Sequence, residues 1–420
     1  MRSAIVLGGG MVGVSTALHL QSRGWEVSLV DRREPGRETS YGNAGVIQRE
    51  AVRPYAMPRD LRTLTRIAFG LTNDIHYRWA ALPAQLKPLL QYWWHSASRR
   101  HEEAALAWVP LILASIAEHD ALIKRADADR LIQRDGYRLL HRDPKALDAA
   151  ITMAERDARE LGVKFKVVSG RELAAAESIR TEELPGAIHW LDPWTVSDPG
   201  GLVASYAAYF QSQGGRILRG DAHTLKQTST GWSVKAGDGW VDAECVVVAL
   251  GPWSPDVLRR FGSRFSLVRK RGYHAHYRGG QSLKMPLIDA GFGYVMAPMA
   301  KGLRITTGAE VAGLDAPPRR GQLARSEQVA RGLLDIGTIT DDEPWYGTRP
   351  CSPDMLPIIG SIPDRKGLWV NFGHGHQGFT LGPVSGRLLA ELMHDGVSSL
   401  RHEAYSPQRF RMSGHRKRLA

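Results

Sequence analysis

The sequence predicts an α/β protein in which a doubly wound parallel unit is split by an inserted α+β unit with an antiparallel sheet. Three observations predict it: a glycine turn between a strand and a helix at the N-terminus, alternating strands over 265–310, and a return to strand–loop–helix near the C-terminus. Arg2 to Leu7 contains the apolar run Ser-Ala-Ile-Val-Leu and reads as a buried strand. It enters Gly8-Gly9-Gly10-Met11-Val12-Gly13, with Gly-x-Gly-x-x-Gly at 8, 10 and 13. Val14, Ala17, Leu18 and Gln21 share a helical stripe, and Gly24 stands where a helix-ending glycine belongs. The strand Glu26 to Val30 then ends at Asp31. Strand, glycine turn, helix, strand and acid in this order read as a Rossmann-like dinucleotide site. Gly8 permits the turn, Gly10 admits a pyrophosphate, and Gly13 lets helix and strand pack closely. Free N–H groups at the helix start, with Met11 and Val12 in its first turn, attract phosphate. Asp31 suits ribose hydroxyls and repels a 2′-phosphate, and Arg32 and Arg33 after it join the same site. A glycine turn without a ligand is the alternative, and the complete context outweighs it.

At 420 residues the chain is long enough for two domains and a large core. Apolar residues make up 43% and charged ones 23%, as in globular proteins. The two cysteines, Cys245 and Cys351, have no metal-ligand spacing and allow one disulfide at most. The first strand starts at residue 2, which leaves no room for a signal peptide, and Trp108 to Ala117 is too short to cross a bilayer. A cytoplasmic location, or one peripheral to the inner face of a membrane, is expected. The net charge is +12, but the basic residues are scattered except in a tail at Arg409, Arg411, His415, Arg416, Lys417 and Arg418, which is expected to be mobile. No nucleic-acid motif accompanies the charge.

Gly36 to Gly45 is a polar loop of small residues, suited to close approach by a flat ligand. From Pro58 to Ala126 the pattern is helical, and Leu86, Leu89, Leu90, Trp93 and Trp94 form one stripe, read as core rather than as a quinone or membrane face. Tyr137 to His141 and Ala187 to Leu191 read as strands flanking a helix over Lys145 to Leu161. Asp198 starts a helix that stops at Gly214, and Arg216 to Leu218 returns to the first sheet. Trp232 to Asp242 makes a hairpin. Glu244 to Leu250 is an apolar strand ending at Gly251-Pro252-Trp253-Ser254, and Gly367 to Asn371 leads to Gly373-His374-Gly375-His376-Gln377-Gly378. The last helix carries Val384, Leu388, Leu389, Leu392 and Met393 on one face. Residues 1–50, 196–257 and 346–420 are thus expected to form the dinucleotide domain, with 51–195 and 258–345 as the inserted substrate domain.

Four blocks make the chain resemble a known family: Gly8–Asp31, Glu38–Gly45, Val246–Ser254, and Gly347–Asp354 through Gly373–Thr380. The chain resembles the FAD-dependent D-amino-acid oxidase and glycine oxidase superfamily, and within it the bacterial D-amino-acid dehydrogenases. The resemblance implies FAD. Thr39 and Ser40 then lie at the pyrophosphate, Asn43, Ala44, Gly45 and Val46 beside the isoalloxazine, and Ala222 at the adenine. Gly251 and Trp253 belong to the third block. Gly373, His374, Gly375, Gln377, Gly378, Phe379 and Thr380, at the start of the last helix, face the flavin pyrimidine, where a helix N-terminus stabilises the charge of reduced flavin. Arg349, in Gly-Thr-Arg-Pro, is implied to hold the substrate carboxylate. Tyr294 matches a tyrosine on the same carboxylate, with a core tyrosine as the alternative. His376 falls near substrate and flavin, and His274 is a weaker candidate. Some relatives tether flavin through a cysteine; here Gly347 holds that position and Cys351 is off register, so FAD is expected to be noncovalent.

The resemblance implies oxidation of a D-amino acid, or a D-proline or D-hydroxyproline type of imino acid, by hydride transfer from Cα to flavin N5. The helical insert implies an acceptor other than O2, such as a quinone. Two rivals remain at this stage: oxidation of a secondary amine such as sarcosine or an opine, and a flavin-carrying electron-transfer subunit without turnover.

Overall fold

The computed structural model describes residues 2–68, 75–181 and 183–410. Part of the expected helical stretch, 69–74, and the basic tail from 411 lie outside the described residues. Arg409 is described, and it is fixed: its guanidinium pairs with Asp354 at 2.7 Å and donates to the Tyr405 carbonyl.

The glycine turn sits at the middle of a six-stranded sheet. Strand β1 (Ser3–Leu7), helix α1 (Met11–Gln21) and strand β2 (Glu26–Asp31) open the chain. The strand order is Arg216–Arg219, β2, β1, Cys245–Val248, Leu368–Phe372, Ile358–Ser361, and only the last pair is antiparallel. Because side chains alternate along β1, Ala4 and Val6 join a core under the helices, with Val14, Leu202 and Leu388. Ile5 and Leu7 face the other way, into a core closed by the Trp232–Ala243 hairpin. Both faces of β1 are covered, which is why its sequence is apolar without alternation.

The second, eleven-stranded sheet is mostly antiparallel. Its longest strand, Val268–Gly279, pairs with Gly302–Thr306 and with Trp345–Cys351. Trp345–Cys351 therefore belongs to this sheet, so the boundary expected at 345/346 falls inside a strand. A short strand, Ile75–Tyr77, also interrupts the expected run of helices and joins the same sheet.

The apolar stripe at 86–94 is mostly not core, although Leu89 packs against the core from its edge. On the helix Leu82–His95, Leu86, Leu90 and Trp94 are 56%, 58% and 54% exposed. The buried side chains are Gln85, Pro88 and Tyr92. The helix lies against Val268–Gly279, and polar groups serve that contact: Gln85 accepts the Arg269 N–H at 3.0 Å and the Tyr92 hydroxyl meets Lys270 Nζ at 3.1 Å. Periodicity marks one face of a helix; what covers that face is decided by the neighbours.

The helix Ser98–Arg125 is long and apolar enough to cross a membrane by length and composition. It buries Trp108, Leu111, Ile112 and Leu122 in the core shared with α1 and the helix Gly378–His394. His119 ties it there, with Nε2 facing the carbonyls of Phe379 and Thr380 at 3.0 and 3.2 Å, and Nδ1 facing the Tyr206 hydroxyl at 3.1 Å. Two carbonyl acceptors require the Nε2–H tautomer of a neutral ring.

Burial pulls His19, His119 and His374 down to about 3, 4 and 3. Unfolded histidine titrates near 6.5. Because the folded values are depressed, the neutral rings favour the fold fully above about pH 6.5, and that contribution is lost as pH falls below it, at about 1.4 kcal/mol per pH unit per group. Tm is expected to fall steadily from pH 6.5 to 5, and His119→Gln should flatten the fall. A Tm constant across that range would show that these rings are charged in the fold.

Candidate active site

A cavity of about 550 Å³ runs from the start of α1 to the face of the large sheet. At its near end Gly8 has φ 116°, and a Cβ there would stand 2.4 Å from the Ala249 carbonyl oxygen. Gly13 lies behind the wall, where a Cβ would stand 1.8 Å from the Gly8 oxygen. Gly10, Met11 and Val12 line the cavity, and α1 begins without a side-chain cap at Gly10. Ser40 Oγ accepts the Met11 N–H at 3.0 Å, and Thr39 Oγ1 lies 3.4 Å from the Thr348 carbonyl. Asp31 accepts from the backbone N–H groups of Gly9 at 2.5 Å and Arg33 at 2.9 Å, and burial raises its carboxyl. Arg32 stacks over Trp253 at 4.4 Å and meets Glu38 at 2.8 Å. The Arg33 side chain points to Glu38 instead and does not line the cavity. Ala222 and Gly251 complete this end.

In the middle, Asn43 Oδ1 accepts from Gly45 and Val46 at 2.8 and 3.3 Å, which turns Asn43, Ala44 and Val46 onto the cavity wall. Gly45, at φ 71°, packs behind them against Val196. Arg304 fastens the same loop by donating to the carbonyls of Tyr41 and Asn43 at 3.0 and 2.6 Å. Arg304 Nε also donates to His276, whose other nitrogen meets Asp341 at 2.9 Å.

At the far end, Gly373, His374, Gly375, His376, Gly378 and Phe379 line one side. Gln377 and Thr380 stand behind and hold Gln48 on the wall, Gln377 donating to its Oε1 at 2.9 Å and Thr380 accepting its N–H at 3.1 Å. Gln48 in turn donates to Glu50, which Tyr137 also bonds, and burial raises Glu50 to about 7. Opposite, Arg349 is half-buried and donates to the carbonyls of Gly308 and Thr307 at 2.9 and 3.3 Å. Among the described residues no carboxylate pairs with it. Tyr55 lies 5.0 Å from the His376 ring. Burial, Arg349 and Lys270 hold His376 well below its usual range, so it is neutral.

Two candidates are placed differently from expectation. His274 does not line the cavity; it stacks on Trp345 at 4.9 Å, and Trp345 forms the wall. Tyr294 borders the cavity, yet its ring packs with Met296 and Ile305 in the core of the opposite sheet face. Alternation along the strand puts Val295, not Tyr294, toward the cavity. Sequence reasoning missed Lys270, Gln48, Tyr55, Trp345 and Arg304. Lys270 stands in Val-Arg-Lys-Arg-Gly, where three successive cations give no sign that the middle one is 7% exposed.

Residues 3–392 match the family described as FAD dependent oxidoreductase (DAO). The chain belongs to this family. It is 28% identical to a D-amino-acid oxidase of Bradyrhizobium diazoefficiens, over 97% of this chain and 99% of that one. It is 30% identical to a D-amino acid dehydrogenase of Cereibacter sphaeroides, over 99% and 97%. The fold matches glycine oxidase from Geobacillus kaustophilus with a TM-score of 0.72 at 20% identity, over 97% and 99% of the two chains. The protein is an FAD-dependent oxidoreductase, and the cavity fits that cofactor. The uncapped helix start and the glycines a Cβ would fill suit the pyrophosphate, Asp31 and Ala222 stand at the nucleotide end, and the loop 373–378 stands at the flavin end.

No cysteine among the described residues lines the cavity. Gly347 has no nucleophile, and the Cys351 thiol, pushed up by burial, faces a separate small cavity behind Gly375. Acid precipitation is expected to leave a colourless pellet and yellow supernatant. Gly10→Val should purify nearly free of flavin while remaining folded by circular dichroism. A yellow pellet would establish a covalent bond.

Proposed function

We propose that the protein is an FAD-dependent dehydrogenase that oxidises a D-amino acid, or a D-proline type of imino acid, to its imine and passes the electrons to an acceptor other than O2. The observation that carries the reading is Arg349: a half-buried guanidinium on the cavity wall, its charge disfavoured by desolvation, with no carboxylate partner among the described residues. A buried cation without a counter-ion is expensive unless a ligand supplies the charge. A planar fork suits a substrate carboxylate, held by two parallel hydrogen bonds. Bound FAD supplies the acceptor for the hydride leaving Cα. The chain's own residues bind and orient. Arg349 fixes the carboxylate, Trp345 and Tyr55 wall the cavity, and neutral His376 adds no charge. The cations Arg349 and Lys270 disfavour a bound ammonium, so the amine sheds its proton to water before oxidation. Positioning then contributes most of the acceleration. The imine hydrolyses to a 2-oxo acid and ammonia, or stays cyclic when the substrate is a proline analogue.

The D configuration rests on the names of the full-length relatives. The acceptor rests on the exposed stripe Leu86, Leu90 and Trp94, with Trp79 74% exposed nearby in sequence. Arg100 lies over Trp94 at 3.9 Å and Arg59 over Trp93 at 3.7 Å. An apolar face with cations at its border suits a surface that holds a quinone in an anionic membrane, so peripheral membrane association belongs to this reading.

Anaerobic addition of D-alanine, D-proline, D-hydroxyproline and sarcosine, each against its enantiomer where one exists, tests the reaction by bleaching of the flavin. Arg349→Ala is expected to lower kcat/KM by two to three decades, about 3–4 kcal/mol, while keeping FAD. Arg349→Lys should recover part of it, because a point charge makes only one of the two bonds. An Arg349→Ala protein with its flavin and near-normal kcat/KM would overturn the anchor. Turnover with a dye or quinone should greatly exceed hydrogen peroxide formation in air; equal rates would make the protein an oxidase.

A further inference from the structure

Lys270 and Arg349 stand directly opposite each other on neighbouring strands, so both side chains leave the sheet on the face that lines the cavity. From there they diverge. The Arg349 guanidinium reaches across Gly272, lying 2.7 Å from where a Cβ there would stand, toward the carbonyls of Thr307 and Gly308. The Lys270 ammonium reaches the other way, to the Tyr92 hydroxyl at 3.1 Å, and lies over that ring at 4.3 Å. That hydroxyl is itself committed as a donor to the Tyr55 carbonyl. Lys270 is 7% exposed, and its only hydrogen-bond partner among the described residues is neutral. The acids that line the cavity, Asp31, Glu38 and Asp221, all stand at the nucleotide end.

The flavin end thus sets two cations on the cavity wall, Lys270 buried and Arg349 half-buried, while the acid behind that wall, Glu50, is bonded by Gln48 and Tyr137 and does not line the cavity. A simple amino acid brings one carboxylate, which Arg349 takes. The second charge remains, and desolvating an ammonium without a counter-ion is strongly unfavourable. The two heads point apart and so match two separate anions rather than one clamped between them. We propose that Lys270 binds a second carboxylate, and that the substrate is an amino or imino dicarboxylic acid of the type of D-glutamate, D-aspartate or iminodiacetate. The inference rests on the amino-acid reading above. Arg349 holds the carboxylate on the carbon that is oxidised, and Lys270 holds the distal one near Tyr92. Specificity follows from both signs of the effect. The distal carboxylate gains an ion pair, and a neutral side chain leaves the ammonium buried and unpaired.

The test compares D-glutamate with D-glutamine, which is nearly isosteric and lacks the charge, in the FAD-loaded protein. D-Aspartate is compared with D-asparagine and iminodiacetate with sarcosine, which separates the amino from the imino source. Reduction of the flavin without oxygen gives kcat/KM. Binding of the non-reacting ligands succinate and butyrate, followed by the flavin absorbance, gives a readout free of turnover. The charged member of at least one pair is expected to be favoured about 100-fold, as for a buried charge-assisted contact. Lys270→Met should cut that ratio to within about threefold of one and erase the preference for succinate. Lys270→Arg should retain part of the preference and serves if the methionine variant does not fold. Three results overturn the inference: neutral and charged partners that react alike in the native protein, a Lys270→Met variant that keeps the ratio, or one that lowers every substrate equally. If no amino or imino acid of either kind bleaches the flavin, the amino-acid reading itself fails, and that outcome is distinct from all three.

Discussion

Two neighbouring strands, Val268–Gly279 and Trp345–Cys351, pair in a register that sets Lys270 opposite Arg349, Gly272 opposite Gly347 and His274 opposite Trp345. Every chemical feature of the flavin end descends from that register. Side chains alternate, so these six residues share one face, and a slip by one position would send the cations to the other side of the sheet. The face is graded along its length. Stacked aromatics stand at one end, glycines in the middle, cations at the other. Glycine is needed in the middle for space: a Cβ on Gly347 would lie 2.2 Å from the Trp345 ring, and one on Gly42 would lie 1.7 Å from it.

The nucleotide end and the substrate end are built by different sheets, which share an apolar core that includes Trp108, Tyr92 and Leu388, and polar contacts join them beside the cavity. Arg304, from the large sheet, is fixed by His276 and Asp341 and bonds the carbonyls of Tyr41 and Asn43 on the loop that leaves the glycine domain. Gln48 makes the second connection, between that loop and the helix Gly378–His394. Hydrogen bonds of this kind fix position to within tenths of an ångström, which apolar contact alone does not. The hydride transfer proposed for this site would demand such positioning, because a reacting carbon must be held against its acceptor.

The sequence made the cofactor half legible because its signals are local. Strand, turn, helix and acid lie within 31 residues, and Gly8, Gly10 and Asp31 line the cavity. The substrate half is non-local. Lys270 and Arg349 are 79 positions apart in the sequence, and nothing near Lys270 says which strand will lie beside it. Tyr294 shows the same limit in reverse. Its surroundings resemble a family motif, but the pleat turns its ring into the core beneath. His274 acts through Trp345, a contact that only the strand pairing creates. Periodicity points the stripe at 86–94 to the core because amphipathic helices usually bury their apolar face; here Gln85 and Tyr92 meet the sheet, and Leu86, Leu90 and Trp94 are left outside.

The same inversion bears on how the molecule divides stability from function. A half-buried arginine and a buried lysine on facing strands repel each other, and neither pairs with a carboxylate among the described residues. Hydrophobic residues of similar volume at both positions would make a more stable sheet. The same holds for Leu86, Leu90 and Trp94, whose exposure forgoes burial worth about 1.5–3 kcal/mol for each large apolar side chain. Places where a chain departs from the arrangement that packing alone favours are where function is expected. In this protein both departures lie on the same stretch of structure, since Tyr92, on the helix whose outer face is bare, is the residue that meets Lys270 on its inner side. On the proposed reading, one helix closes the substrate end of the cavity with one face and offers the other to the electron acceptor.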